Sequence, residues 1–391
     1  MRLCAISNKE CWQDAGGNWF SSGGFPLQMA AIGSLFDEMT LVVVRRMACA
    51  GGLPLPPHAR VLPLEQLPRG LVSRRLQMVA RLPRDVARMA AAIRASDVVH
   101  VPLPGDVPFL AMQLALLMRK PLVARYGAAW ANCLHATLAR RLMRWWMTRV
   151  AGGQNLMLAT GAGASPPAPR MHWIYSTAIS RAEVCSVRPD LDRPLRKPAR
   201  LAFVGRLAPV KGVAEVLEGL RLLRDEFHLG EGVPQVTIIG DGPQRRELET
   251  RVKTLGFQDR VRFTGQLNRV QLSQELQQAD LAVQPSQSEG FCKALLDAML
   301  CGVPVIATDV GANRQILGDR GQRGWVIPLP DARMLAYSVR RRLAEPLDWP
   351  ALRRRCRDYV EQHTLEGWIE RLGQLCAQQW NWRVEEGKLR P

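Results

Sequence analysis

Short, largely apolar runs alternate along the chain with glycine-containing turns and longer amphipathic stretches. Runs at 201–204, 236–239, 261–264, 281–283 and 303–307 are the length of buried strands. Helical patterns separate them, as in a doubly wound parallel sheet. The first half repeats the scheme with runs at 2–6, 41–44, 97–101 and 121–124. Between its first two strands come Gly16, Gly17, Gly23 and Gly24, then a helical stretch over about 26–36. The pattern predicts an α/β chain of two doubly wound, Rossmann-like domains. Their expected spans are 1–180 and 201–364, with a Pro-rich, charged linker at 181–200. Residues 50–70 are Pro-rich and read as loop. The stretch 71–96 predicts one or two basic helices broken at Pro83, and 161–170 reads as a surface loop.

The densest chemistry lies between the runs at 281 and 303. Glu289, Gly290, Phe291, Cys292 and Lys293 fall on a strand-to-helix turn, and Asp297 lies inside the helix. Such a turn at the carboxyl end of a parallel strand is where open α/β sheets bind ligands. Backbone N–H groups at the helix start suit a phosphate. Glu289 and Asp297 stand eight positions apart, which reads as one turn residue and one helical residue facing a common ligand. Upstream, VGRLAPVKG puts Arg206 and Lys211 on a loop flanked by Gly205 and Gly212. Two such cations either converge on a diphosphate through charge-assisted bonds or stay solvated.

SEGFCKALLDAM resembles the donor-site motif of retaining family 4 glycosyltransferases of the GT-B fold, with Asp297 where the pattern E-x7-E has its second glutamate. The resemblance extends in order through VGR…KG, the GDGP turn with Gly240, and 265–267 ending at Leu267. It implies two Rossmann-like domains facing across a cleft, with a C-terminal helix, 365–391, crossing back to the first. Arg206 and Lys211 would grip the donor diphosphate, Glu289 the sugar hydroxyls and Asp297 the ribose. Gly205, Gly240, Leu267, Gly290, Phe291, Cys292 and Lys293 would line the donor site. Gly23 and Gly24, just before a helix, would approach the donor phosphate or the acceptor; a bare turn is the alternative.

On the acceptor side the pattern departs. Many relatives carry a His-Gly pair after the strand equivalent to 121–124; here stand Arg125, Tyr126 and Gly127. Arg125 or Tyr126 can instead bond an acceptor or a phosphate. His100, read at the end of its strand, His135, and Asp106 after a strand are further candidates.

Composition adjusts this picture in a few respects. The 391 residues carry 53 Lys+Arg against 35 Asp+Glu, a net charge of +18. Residues 1–180 hold 20 Lys/Arg and 8 Asp/Glu, so the first half carries +12 of it. That field favours anionic partners: nucleotide diphosphates, anionic lipid surfaces or nucleic acid. Nucleic acid is disfavoured, because no RNA-binding aromatic motif or helix-turn-helix signal accompanies the charge. The stretch LARRLMRWWMTRV mixes arginine with tryptophan, as membrane-surface helices do, or else has a core face and a solvated arginine face. Nine cysteines form no C-x-x-C pair, which suits reduced thiols in a cytoplasm. The N-terminus lacks the apolar core of a signal peptide. The expected place is the cytoplasm, with peripheral attachment to the inner membrane face.

The expected activity is transfer of a hexosyl unit from a UDP- or GDP-sugar to a glycan or lipid-linked glycan acceptor, in bacterial surface polysaccharide or lipopolysaccharide synthesis. No metal or other cofactor is expected, since Arg206 and Lys211 supply the charge facing the diphosphate. The alternative is a catalytically silent nucleotide-sugar binder or scaffold of a glycan-assembly complex, favoured by Asp297 and the missing histidine.

Overall fold

A computed structural model describes residues 1–47, 51–65, 71–130, 137–328 and 330–391, with side chains of 71–81 left out. His135 lies outside the described residues. The chain divides into two compact units, Met1–Ala178 with Leu365–Pro391, and Ile179–Thr364.

In the first unit, seven strands run parallel in the order Ala59–Glu65, Glu38–Arg45, Arg2–Gln13, Val98–Leu103, Leu122–Tyr126, Asn155–Thr160, Met171–Ile174. The direction of winding reverses between Arg2–Gln13 and Val98–Leu103. The far end of Arg2–Gln13 pairs antiparallel with Trp19–Ser21, which pairs with Leu53–Pro54. Two stretches read as loop or left unassigned are therefore strands. Ala59–Glu65 tolerates Pro63 because it is the sheet's edge, where a missing N–H breaks no central ladder. Leu71–Arg94 is a single helix with Pro83 inside. Leu82, Pro83 and Arg84 are exposed, so the carbonyl that Pro83 leaves unbonded can meet water. The helix Leu365–Trp380 belongs to this unit, where Trp368, Leu372 and Leu375 join Ile32, Val123 and Leu158 in the core.

The second unit is a six-stranded parallel sheet ordered Val261–Gly265, Gln235–Ile239, Arg200–Val204, Leu281–Gln284, Val305–Thr308, Gly324–Ile327. Numbered along this unit, the order is 3-2-1-4-5-6, that of the dinucleotide-binding folds, with the switch point between Arg200–Val204 and Leu281–Gln284. Leu201, Phe203, Ile238, Leu281, Val283 and Ile306 are each at most 3% exposed and pack with Val216, Leu217 and Leu220. On the opposite face Ala202, Ile239, Ala282, Val305 and Ala307 are at most 5% exposed, and burial on both faces explains why the strands read as near-continuous apolar runs.

The polar stretch 181–200 is held to this unit by buried charge. Arg181–Ser186 is helical, capped by Ser180. Arg193 and Arg196 both pair with Asp280, whose side chain is fully buried and also accepts the Arg200 N–H at 2.9 Å. Arg357 donates to the carbonyls of Val184, Val187 and Leu300. Ala332–Ala344 and Trp349–Glu361 complete the unit.

Candidate active site

The switch point of the second unit gathers the residues that sequence spacing places on separate loops. The loop after Arg200–Val204 carries Arg206 and Lys211, and the loop after Leu281–Gln284 carries Glu289. Lys211 Nζ donates to Glu289 Oε1 at 2.5 Å, both side chains mostly buried. Backbone contact brings the loops together: Gln287 N–H donates to Val210 O at 2.8 Å. Gly212 is in the left-handed region, φ +74°, and a Cβ there would lie 2.1 Å from Pro285 O. The approach thus needs glycine for both conformation and space. Gly311 plays the same part behind the Glu289 turn, with φ +57° and a Cβ position 2.2 Å from Glu289 O.

Burial lowers the Lys211 ammonium, but the charge of Glu289 and its hydrogen bond outweigh it and hold its pKa above the ordinary value. Lys211 therefore stays a cation through the physiological range. Cys292 is buried at the start of the helix Lys293–Leu300; burial first, then Glu289, pushes its thiol well up, so it is no nucleophile at neutral pH. No side chain caps that helix. Arg206 is exposed, and its guanidinium makes no hydrogen bond or ion pair among the described residues. Gly290 and Phe291 are buried in the turn, Lys293 half-buried. Gly205 and Gly240 lie at the ends of adjacent strands, with Gly205 N–H donating to Ile239 O at 2.9 Å. Leu267 is half-buried just before Asn268, the capping residue of Arg269–Gln277.

Asp297 does not stand alone. Arg269 Nη1 donates to Asp297 Oδ1 at 2.8 Å, while its Nε and Nη2 donate to Glu183 Oε1 at 2.9 and 2.6 Å. Burial works against the Arg269 charge, yet the two carboxylates hold it firmly protonated. Burial pushes Glu183 up, and Arg269 pulls it back. Sequence reading missed this triad, since its members lie 28 and 86 positions apart with no periodic signal. One Asp-x-Asp spacing, at Asp190 and Asp192, lies in the same unit. Asp192 pairs with Arg354, and Asp190 accepts the Asp192 N–H at 3.1 Å. No group of three His, Cys, Asp or Glu among the described residues is arranged to hold a metal.

The candidates in the first unit are placed differently from expectation. His100 is not at a strand end. The strand runs on to Leu103, and His100 pairs with Ala5 and Val123 inside the sheet, 2% exposed. Burial, then the charge of Arg125, lowers its pKa to about 3. Arg125 is also interior. Its Nη2 donates to Gln28 Oε1 at 3.1 Å and its guanidinium lies 5.3 Å from the Trp368 ring. Tyr126 is 1% exposed and stacks edge-on to Trp130. These strand ends are buried because helices cover them, which local sequence did not reveal. Asp106 is exposed at the first position of Asp106–Leu117, where a carboxylate favours the helix dipole. Gly23 and Gly24 form the turn that opens Phe25–Ser34.

Residues 191–363 match the family model described as glycosyl transferases group 1. A GDP-mannose-dependent alpha-mannosyltransferase of Mycolicibacterium smegmatis is 29% identical over 260 residues, 63% of this chain and 65% of that protein. A D-inositol 3-phosphate glycosyltransferase of Jonesia denitrificans is 30% identical over 42% of this chain and 44% of its own length. The chain thus spans less than two thirds of the first curated relatives it matches. Among solved structures, HepE of Anabaena in complex with UDP superposes with a TM-score of 0.67 at 17% identity, covering 97% of this chain and 100% of that one.

Proposed function

We propose, from the match of residues 191–363 to the glycosyl transferases group 1 model and the likeness in fold to HepE, that the chain is a retaining hexosyltransferase of the GT-B type acting on a nucleotide-diphosphate sugar. The observation that carries the reading is the Lys211–Glu289 pair at the switch point, with Arg206 on the same loop unpaired among the described residues and a helix starting four residues after Glu289. In the reaction the bond from the anomeric carbon to the diphosphate oxygen breaks, and an acceptor hydroxyl oxygen bonds to that carbon. Negative charge grows on the departing phosphate. Arg206, Lys211 and the helix start would meet it with fixed cations and dipoles, the kind of preorganised field that contributes most to catalysis. Attack from the leaving-group face lets that phosphate take the acceptor proton and retains configuration. No histidine base is then required, which fits a neutral His100 buried within the sheet. Glu289 would turn from Lys211 to the sugar hydroxyls, and Asp297 with Arg269 would meet the ribose.

The first unit is assigned to a glycan or lipid-linked acceptor of surface polysaccharide synthesis. The relative's printed GDP-mannose and the UDP bound by HepE define the donor screen. Purified protein mixed with UDP- and GDP-sugars should release nucleoside diphosphate, and Arg206→Ala should suppress that release. Equal release by both proteins would remove Arg206 from the mechanism. A second reading, a silent donor binder, is favoured by Arg269 already holding Asp297. Tight donor binding without turnover across a broad acceptor panel would select it.

A further inference from the structure

The helix Leu138–Val150 turns apolar side chains in both directions. Met143 and Met147, 8% and 0% exposed, enter the core of the first unit. Leu138, Leu142 and Trp145 are 81%, 54% and 49% exposed. With Arg149 they lie within about 60° of one another around the helix axis, at 3.6 residues per turn. Two large aliphatics and a tryptophan in one row facing water are costly unless something covers them. Arg149 lies 5.4 Å from the Trp145 ring, so the row ends in a cation held against an aromatic face. Arg140 and Arg141 are also exposed, whereas Arg144 is committed to the Trp130 carbonyl.

The surrounding sequence carries one sign of charge. From residue 107 to residue 182 there are nine Lys or Arg and no Asp or Glu. A protein partner of ordinary composition would find no acceptor for its own cations along this stretch. An anionic bilayer would find cations for its headgroups and an apolar ridge for the boundary below them. Tryptophan suits that boundary, its ring apolar and its N–H polar.

We propose that Leu138–Val150 is a membrane-docking element that lies in the plane of an anionic phospholipid surface. Leu138, Leu142 and Trp145 enter the headgroup–acyl boundary, and Arg141 and Arg149, on the same side of the helix, contact lipid phosphates. Binding uses buried apolar area and electrostatic attraction together, so it requires anionic lipid and weakens with salt without vanishing.

The full chain is to be co-sedimented with phosphatidylcholine vesicles and with vesicles of about one-third phosphatidylglycerol. The wild type should partition onto the anionic vesicles only. Leu142→Glu/Trp145→Glu should reduce partitioning by more than about tenfold, and replacing Arg141 and Arg149 by Gln should weaken it about fivefold per charge. These side chains are exposed, so the variants should keep the wild-type thermal midpoint and nucleotide release. Absence of wild-type partitioning would overturn the proposal, as would binding that Leu142→Glu/Trp145→Glu leaves intact. So would a wild-type dimer, with no vesicle binding, that this double substitution converts to monomer, because a second copy would then be the occupant. Vesicle binding is read without any sugar donor, so failure here is separable from failure of the transferase reading.

Discussion

Replacing Gly212 by alanine asks whether the close approach of two loops sets the candidate site. The residue has φ +74°, where a side chain costs roughly 1–2 kcal/mol. The new Cβ would lie 2.1 Å from Pro285 O, so that carbonyl has to withdraw by roughly 1.3 Å or more to reach ordinary contact. Overpacking of this kind adds about 1–3 kcal/mol. The second unit should therefore lose about 2–5 kcal/mol, at roughly 2–4 °C of thermal midpoint per kcal/mol for a unit of its size. Pro285 begins the loop that ends in Glu289, and Lys211 precedes the glycine, so the Lys211–Glu289 pair moves with the clash. A displacement of about 1 Å in a positioning group is the scale that costs about 100-fold in rate. The assay is kcat/KM for nucleotide release, beside a melting curve read for each unit. Gly230→Ala is the control: its φ is +51° with nothing within 4 Å, so it carries strain without a clash. The reasoning fails if Gly212→Ala melts with Gly230→Ala and keeps kcat/KM within about threefold of wild type.

Three further outcomes follow from buried charge. Asp280→Ala leaves Arg193 and Arg196 beside an empty, fully buried position and should cost the second unit about 3–5 kcal/mol, read by thermal unfolding. Arg269→Gln leaves Glu183 and Asp297 without their shared cation, and should raise the donor KM about tenfold or more while kcat changes less. A wild-type KM would show that the triad does not touch the donor. His100, lowered from 6.5 to about 3, stays neutral when folded while the unfolded chain binds its proton. The histidine's contribution is complete above pH 6.5 and is lost as pH falls toward 3. His100→Phe should flatten the dependence of first-unit stability on pH in that window by about 1.4 kcal/mol per pH unit at most. An unchanged slope would mean that His100 titrates normally.

The parts of the chain that could be read in advance are those whose physics is local. Buried parallel strands such as Leu281–Gln284 are largely apolar, and the glycine-bearing loops after them are marked by Gly205, Gly212 and Gly290. Arg206, Lys211 and Glu289 could thus be put on strand-to-helix loops. That Lys211 touches Glu289 could not, because it depends on Gly212 meeting Pro285 across 73 residues. Asn155–Thr160, Met171–Ile174 and Gly324–Ile327 escaped notice, being only four to six residues long, with polar Asn155 and His172 in the first two. The stretch 181–200 looks like solvated linker by composition, yet its arginines reach Asp280, and Arg357 reaches its carbonyls. Arg125 and His100 looked like strand-end ligands, since nothing nearby in sequence shows that Phe25–Ser34 and Leu365–Trp380 cover that face.

Calorimetric titration of UDP and GDP into the wild type, Arg206→Ala and Lys211→Ala tests the assignment of the diphosphate most directly. The wild type should bind one of the two nucleotides at one site per chain, and each variant should bind it about 10- to 100-fold more weakly, the worth of a charge-assisted hydrogen bond. Equal affinity in all three proteins would contradict the claim that these two cations hold the donor.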